Sequence, residues 1–323
     1  FVVMFLTVWF GYGFETGTLL QKKDTHPTLK KIFAQLDKRT YEKVSFAATN
    51  ITIPAPSFFK GIGTVFSVAS GGKHGSFMLG RHFRGGSLRG ALLAFFIKTP
   101  IPLTIFFIIA LILKRKVLLS KDQLFLLVPI SALVLTTPLH ISLHNKYILP
   151  VYPFLIIFSS QIFDPQYIKV RKIKVLLCIL LAWLMFGTLR IYPHYLAYFN
   201  EFAGGPQNGY KFLVDSNLDW GQDLKLLKEY LDKNNIDEVA LGYFGTARPE
   251  YYGIKYKKMA PFTPVRGWVA ISATLLQGAH ITAKDPYAWL RQYEPVAKIG
   301  YSIFVYDIGD KVRNTQERNN GSN

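Results

Sequence analysis

Residues 91–113 read "ALLAFFIKTPIPLTIFFIIALIL", with Lys98 as the only charge and prolines at 100 and 102. The stretch is long and greasy enough to cross a bilayer, since ~30 Å of hydrocarbon takes about 17–25 mainly apolar residues. The whole chain leans the same way. Its 323 residues are 50 % hydrophobic and 15 % aromatic, with a mean hydropathy of +0.19. That is too apolar for an ordinary soluble domain of this length and implies a membrane protein with a soluble part.

Working outward, four further stretches read as spans: residues 1–13, 123–139, 147–163 and 174–190. The first is short and opens in mid-run with "FVVMFLTVWFGYG", like the end of a membrane helix of a longer protein. Charges between spans orient them. "KRK" at 114–116, with Lys121, and "KVRKIK" at 169–174 flank the second and fifth spans, whereas 140–146 carries one lysine and two histidines. The positive-inside bias puts the first two segments in the cytoplasm and 140–146 outside. By alternation the 14–90 loop and everything after Arg190 also lie outside. The 14–90 loop is itself basic, but loops beyond about 60 residues escape the rule.

After Arg190 the pattern changes. "DLKLLKEYLDKNN" (223–235) has helical period, with Leu224, Leu227 and Leu231 on one face. "EVALGYF" (238–244), "GWVAIS" (267–272) and "YSIFVYDI" (301–308) read as strands. The expectation is therefore an α-helical multi-pass membrane region over 1–190 and a small extracytoplasmic α/β domain over 191–309. A polar tail, 310–323, reads as disordered.

The net charge of +18 raises nucleic acid as a partner. No zinc-finger spacing, RNA-binding aromatic signature or concentrated basic helix accompanies it, and basic residues at membrane boundaries explain it more simply. No nucleic-acid partner is expected. The single cysteine, Cys178, sits in an apolar run and provides neither a disulfide framework nor a metal site.

Three constellations carry chemistry. Lys98, at the outer end of a span, either snorkels to the interface or contacts a phosphate, because a charge at that depth must be paired or solvated. In "HISLHNKYILPVYP" (140–153), His140 and His144 would share a helix face, a metal-like spacing without a third ligand nearby in sequence. Lys146, Tyr147 and His144 fit a phosphate site better, with an interfacial Tyr/Lys anchor as the plain alternative. The glycines of 51–90, in "SGGKHGSFMLG" and "RHFRGGS", permit tight turns or simple flexibility, and nothing there matches a Walker A sequence.

The densest polar cluster is "DSNLDWGQDL" (215–224). Asp215 ends a plausible strand "YKFLVDS", Asp219 stands where a helix N-cap would, and Asp223 falls in the first turn. Capping does not demand Asn217, Trp220 and Gln222. An indole beside amides and carboxylates suits a sugar ring and its hydroxyls. Carboxylates near a membrane can also hold a divalent cation, the one cofactor these residues raise.

"YPHYLAYFNEFAGGPQNGYKFLVDSNLDWGQDLKLLKEYL" (192–231) resembles the C-terminal part of bacterial membrane glycosyltransferases of the family-39 type. These are GT-C-fold relatives of protein O-mannosyltransferases and aminoarabinose transferases. "FFIKTPIPL", "KYILPVYPFL", "YFGTARPEYYGI" and "GYSIFVYDI" are similar to further stretches of those proteins in the same order. The resemblance implies an inverting transferase in the plasma (inner) membrane, moving a sugar from a polyprenyl-phosphate carrier to a glycan, lipid or protein acceptor outside. It implies donor-phosphate contact by Lys146 and Tyr147, then Lys98 and His144. It also implies acceptor or sugar contact by Asp215, Asn217, Asp219, Trp220 and Gln222. Its acidic general base belongs upstream of Phe1, so the chain is expected to be a C-terminal portion. The rival expectations are a membrane-anchored glycan- or partner-binding module and a transporter; the latter lacks repeated mid-span charges.

Overall fold

The computed structural model describes residues 2–20, 37–70, 75–84, 88–124, 126–127, 149–279 and 285–309. They form two compact units, one up to Ser70 and one from Gly75 onward.

The first unit holds α1 (Val2–Gly11), β1 (Thr16–Thr18), α2 (Lys38–Asn50), β2 (Thr52–Pro54) and α3 (Pro56–Ser70). β1 and β2 pair antiparallel, with Gly17 opposite Ile53. The Asp37 carboxylate caps α2 by accepting from the Arg39 and Thr40 amides, both at 3.1 Å. At the start of α3, Ser57 donates its hydroxyl to Glu15 at 2.9 Å. The glycine-bearing stretch 51–90 thus carries β2 and α3. In the second unit it carries a hairpin of β3 (Gly75–Met78) and β4 (Arg81–Arg84). Leu79 and Gly80 both have positive φ, 52° and 75°, as a two-residue hairpin turn needs.

The second unit continues with α4 (Leu88–Lys98), α5 (Ile101–Lys114), α6 (Val151–Ser160) and α7 (Arg171–Arg190). The sequence reads 91–113 as one span, but α4 and α5 are bent by 110° at their junction. The cause is local. Pro100 and Pro102 lack the amides that would continue the ladder, and Pro100 pushes Thr99 out of the helical region. At 11 and 14 residues, neither half has the length of a crossing. α7, with 20 residues, is long and apolar enough to cross by itself. α1 and the Val151–Phe163 segment are shorter apolar helices. Most of the 123–139 segment lies outside the described residues. Phe106 and Ala110 of α5, Phe158 of α6, and Leu177 and Leu180 of α7 share one buried cluster.

From Tyr195 to Asn217 the chain runs through four 3-10 turns rather than regular elements. α8 (Leu224–Lys233) follows, then a five-stranded sheet. Its strands are β5 (Val239–Gly242), β6 (Tyr256–Lys258), β7 (Gly267–Ser272), β8 (Ala297–Ile299) and β9 (Ile303–Ile308), in the order β6-β5-β7-β9-β8. β5 runs parallel to β6 and β7, whereas β9 is antiparallel to β7 and β8.

Period-2 alternation sorts the side chains onto two faces. Val239, Leu241, Ala270, Ile303 and Val305 meet Leu224, Leu227 and Leu231 of α8 on one side. Val269, Ile271, Phe304 and Tyr306 face the other side, where Leu213, Val214 and Leu218 pack together with Ala94 and Ile97 of α4. Burial on both faces is why "GWVAIS" and "SIFVYDI" are nearly unbroken apolar runs. It also makes the end of a membrane-type helix part of the domain core.

Leu227 is fully buried in the α8 face. Leu227→Ala should therefore lower stability by about 2–5 kcal/mol, whereas Lys225→Ala on the exposed face should stay within ~0.5 kcal/mol. Thermal unfolding of the purified chain in detergent reads both. Equal shifts would refute the packing of α8 against the sheet.

Candidate functional site

The two prolines that bend the helix leave carbonyls without their usual donors. Phe96 O would accept from the amide of residue 100, which is a proline. Asn200 supplies the missing donor. Its side-chain amide donates to Phe96 O at 2.6 Å and to Thr99 O at 2.9 Å, and its backbone amide donates to Ile97 O at 2.9 Å. Its own side-chain oxygen accepts from Phe202 N at 3.1 Å. All three of its side-chain hydrogen bonds are thus made at a residue only 1 % exposed.

Lys98, the last residue of α4, points back the other way. Its ammonium donates to Leu196 O at 2.8 Å and Asn217 O at 2.6 Å and stands 4.3 Å from the centroid of the Phe199 ring. It is neither snorkelling nor open to an anion along those two bonds. It ties the helix break to the first turn of "DSNLDWGQDL". Thr99 accepts or donates a bond of 2.8 Å with the Tyr152 hydroxyl, linking the same break to α6.

The loop 215–223 lies across the C-terminal ends of the parallel strands β5 and β7, at the start of α8. In an open α/β sheet the crevice beyond the carboxyl ends of the strands is where ligands bind. Here the loop itself occupies that position. Asp215 N donates to the Thr274 hydroxyl just past β7 at 3.0 Å. The Asp219 carboxylate accepts from Gly221 N at 3.0 Å and from Thr274 N at 3.4 Å. The Tyr243 hydroxyl, just past β5, donates to Gly221 O at 2.7 Å. Asp223 accepts from the Ser302 hydroxyl at 2.6 Å and from the Gln222 side-chain amide at 3.2 Å. His194 Nδ1 stands 3.9 Å from its other oxygen. Two glycines make this fit. Gly221 has φ +74°, and a Cβ there would overlap the Tyr243 hydroxyl; a Cβ on Gly300 would overlap the Asp223 carboxyl.

The helix-capping expectation needs correction. Leu224 begins α8, so Asp223 holds the cap position and makes no side-chain cap bond, while Asp219 caps a turn within its own loop. Asp215 does not end a strand either. It begins a 3-10 turn with φ +57°, and only Leu213 of "YKFLVDS" bridges to another strand, at Met78.

Asp219 is fully buried. Burial, the largest influence, pushes its carboxyl up to about 7 against the two amides and the Thr274 hydroxyl that favour the ionised form. Burial also raises Asp223, opposed by Ser302, His194 and Gln222. Both acids are committed to holding the loop in shape. The outward-facing members are Trp220, 55 % exposed, and Gln222, whose Oε1 accepts from Trp220 N at 2.8 Å. Asn217 is buried under Lys98, its carbonyl bound to the ammonium. Of the five, Trp220 and Gln222 are exposed, Asp215 is half-buried, and Asn217 and Asp219 are buried.

Lys146, Tyr147 and His144 fall outside the described residues. Among the described residues no group of three or more His, Cys, Asp or Glu side chains is placed to hold a metal ion. Sequence reading missed Asn200, Tyr243, Thr274 and Ser302. The one available signal was the proline pair, which demands a foreign donor without saying where it comes from. Compared with protein-family models, with curated proteins and with solved structures, the chain matches none.

Replacing Lys98 by Met would orphan two carbonyls. Lys98→Met should lower stability by about 2–6 kcal/mol, at ~1–3 kcal/mol for each of the two carbonyls that lose this donor. Unchanged thermal unfolding would mean that the ammonium is not a structural tie. Asp219 gives a second test. The folded state holds its proton more tightly than the unfolded chain, whose carboxyl titrates near 3.8. Its contribution is therefore complete below that pH and is lost as pH rises through about 7. Asp219→Asn should flatten the fall in stability over that window; an unaltered slope would show that other groups set it.

Proposed function

We propose that this chain works as a multi-pass membrane glycosyltransferase of the GT-C type, moving a sugar from a polyprenyl-phosphate carrier to an acceptor at the extracytoplasmic face. Residues 191–309 then form the outer domain of an inner-membrane protein. The observation that carries the reading is the clamp. Lys98 binds the carbonyl of Asn217, the third residue of "DSNLDWGQDL", and Asn200 binds the carbonyls freed at the helix break. An acceptor loop fastened to the boundary of an apolar helix pair is what a transferase needs when its donor is a lipid and its acceptor comes from water. The resemblance of residues 192–231 to the family-39 type gives the reaction class.

In this reading the acceptor hydroxyl attacks the anomeric carbon in line, opposite the departing lipid phosphate. Lys146 and Tyr147, with His144, stabilise the phosphate charge as it develops. Trp220 offers an exposed ring face to a pyranose, and Gln222 offers an amide beside it. Asp219 and Asp223 organise the loop, and another carboxylate removes the acceptor proton. A second reading, a membrane-anchored glycan-binding module, draws on the same exposed Trp220 and needs no turnover.

Membranes containing the protein with its reading frame extended upstream of Phe1, and membranes containing residues 1–323 alone, would be supplied with radiolabelled polyprenyl-phosphate hexose, and label followed into water-soluble or protein-bound product; transfer is expected from the extended form. Lys146→Ala should cut transfer about a hundredfold, the effect of ~3 kcal/mol of lost charge stabilisation. Trp220→Ala should raise the acceptor KM about tenfold with little change in stability, as for one lost stacking contact. Retention of labelled glycan without any transfer would select the binding module instead.

A further inference from the structure

A cavity of about 490 Å³ opens beside the last two turns of α7, and no residue of the 215–223 loop lines it. That volume is within the range of small-molecule sites. Its helix wall follows one stripe of α7, from Trp183 to Arg190. The 198–207 segment and Tyr301 close the rest. Aromatic side chains contribute to the wall: Trp183, Phe186, Tyr198, Phe199 and Tyr301.

Two opposite charges line it, and they do not neutralise each other. Arg190 ends α7, is exposed, and makes no ion pair among the described residues. Glu201 accepts from the Trp183 indole N–H at 2.9 Å through one oxygen, which fixes the ring and leaves the second oxygen for a ligand. Phe186 of the lining is 63 % exposed, and the chain at and just past the end of α7 shows further exposed apolar and aromatic groups: Leu189 at 69 %, Tyr192 at 70 % and Tyr195 at 52 %. Tyrosine and tryptophan collect at that level of a bilayer, where head groups begin.

A bare anion would be repelled by Glu201, and a bare cation by Arg190. A head group carrying both charges meets both. We propose that this cavity binds the head group of a zwitterionic phospholipid, the phosphate on Arg190 and the ammonium between Glu201 and the aromatic wall. Arginine matches phosphate through a bidentate fork, and ammonium groups are held by carboxylates and aromatic faces together. The acyl chains leave over the apolar mouth along the exposed face of α7. The inference rests on the proposed membrane placement of α7 but not on sugar transfer.

The test uses the full chain in phosphatidylglycerol nanodiscs, titrated with dihexanoylphosphatidylethanolamine. Trp183 lies in the wall, so tryptophan fluorescence reports occupancy, and native mass spectrometry counts bound lipid. Saturable binding is expected, weakened about tenfold by Arg190→Ala and by Glu201→Gln, as for loss of one charge-assisted contact. The Gln variant keeps an acceptor for the indole, so the wall stays in place. Dihexanoylphosphatidylglycerol, which lacks the ammonium, should bind more weakly and respond only to Arg190→Ala. Free phosphoethanolamine should bind far more weakly than the lipid; equal affinity would overturn the lipid as ligand. Octyl glucoside binding as tightly as the phospholipid would make the cavity a sugar site and overturn the proposal. So would binding unaffected by either substitution. Failure of the chain to enter nanodiscs would reject the placement of α7 itself, a readout separate from both binding and transfer.

Discussion

The side-chain amide of Asn200 is the contact on which the second unit depends. Two prolines within three residues leave a helix end whose carbonyls have no donors of their own. In a water-poor setting each unmet carbonyl costs several kcal/mol, so such a break survives only where other groups satisfy it. Asn200 gives two side-chain hydrogens and one backbone hydrogen to the carbonyls of Phe96, Thr99 and Ile97 around the break. Lys98 completes the exchange by donating from the broken helix to the segment that Asn200 comes from. The connection therefore runs in both directions, and neither side keeps its geometry alone. Ala94 and Ile97 of α4 can enter the domain core because this clamp holds them there.

The same constraint explains the character of the polar loop. A stretch with three aspartates in ten residues looks like a reactive surface. Yet the two deepest carboxylates are consumed in shaping it, against Thr274 and Gly221 in one case and Ser302 in the other. The loop must cross the ends of two parallel strands without a regular element to support its backbone, and buried amides need acceptors. Acidic side chains provide them compactly. Trp220 and Gln222 stay exposed above that buried framework.

Legibility followed the reach of each physical rule. The stripe of Leu224, Leu227 and Leu231 predicted α8 because a 3.6-residue period is local. "GWVAIS" predicted β7 because burial on both faces leaves an unbroken apolar run. β6 and β8 are three residues each and too short to show any period. The 3-10 turns from Tyr195 to Asn217 follow from Asn200 and Lys98 fitting tertiary partners, which no window of sequence contains. Asp219 resembled a cap because an acid lies four positions before a periodic segment; its actual donors sit 55 residues away as well as two. Hydropathy saw the apolar content of 91–113 and was blind to direction. The exposed Trp220 was legible as a candidate, since its residue type and setting carried the signal.

The 110° bend has a consequence for sidedness. A span count works by parity, each crossing moving the chain to the opposite compartment. A bent pair contributes one crossing if it passes through and none if it returns, so parity carried through residues 91–113 is undefined by composition. The proposed side of residues 191–309 does not depend on that count. α7 has four basic residues within and just before its first turns, at 169, 171, 172 and 174, and one at its far end. For α7 as a proposed span, the positive-inside bias reads that local asymmetry without reference to the upstream helices. In the proposed membrane placement, the side assigned to residues 191–309 then rests on the six residues before Val175 and not on how many times the chain crosses upstream.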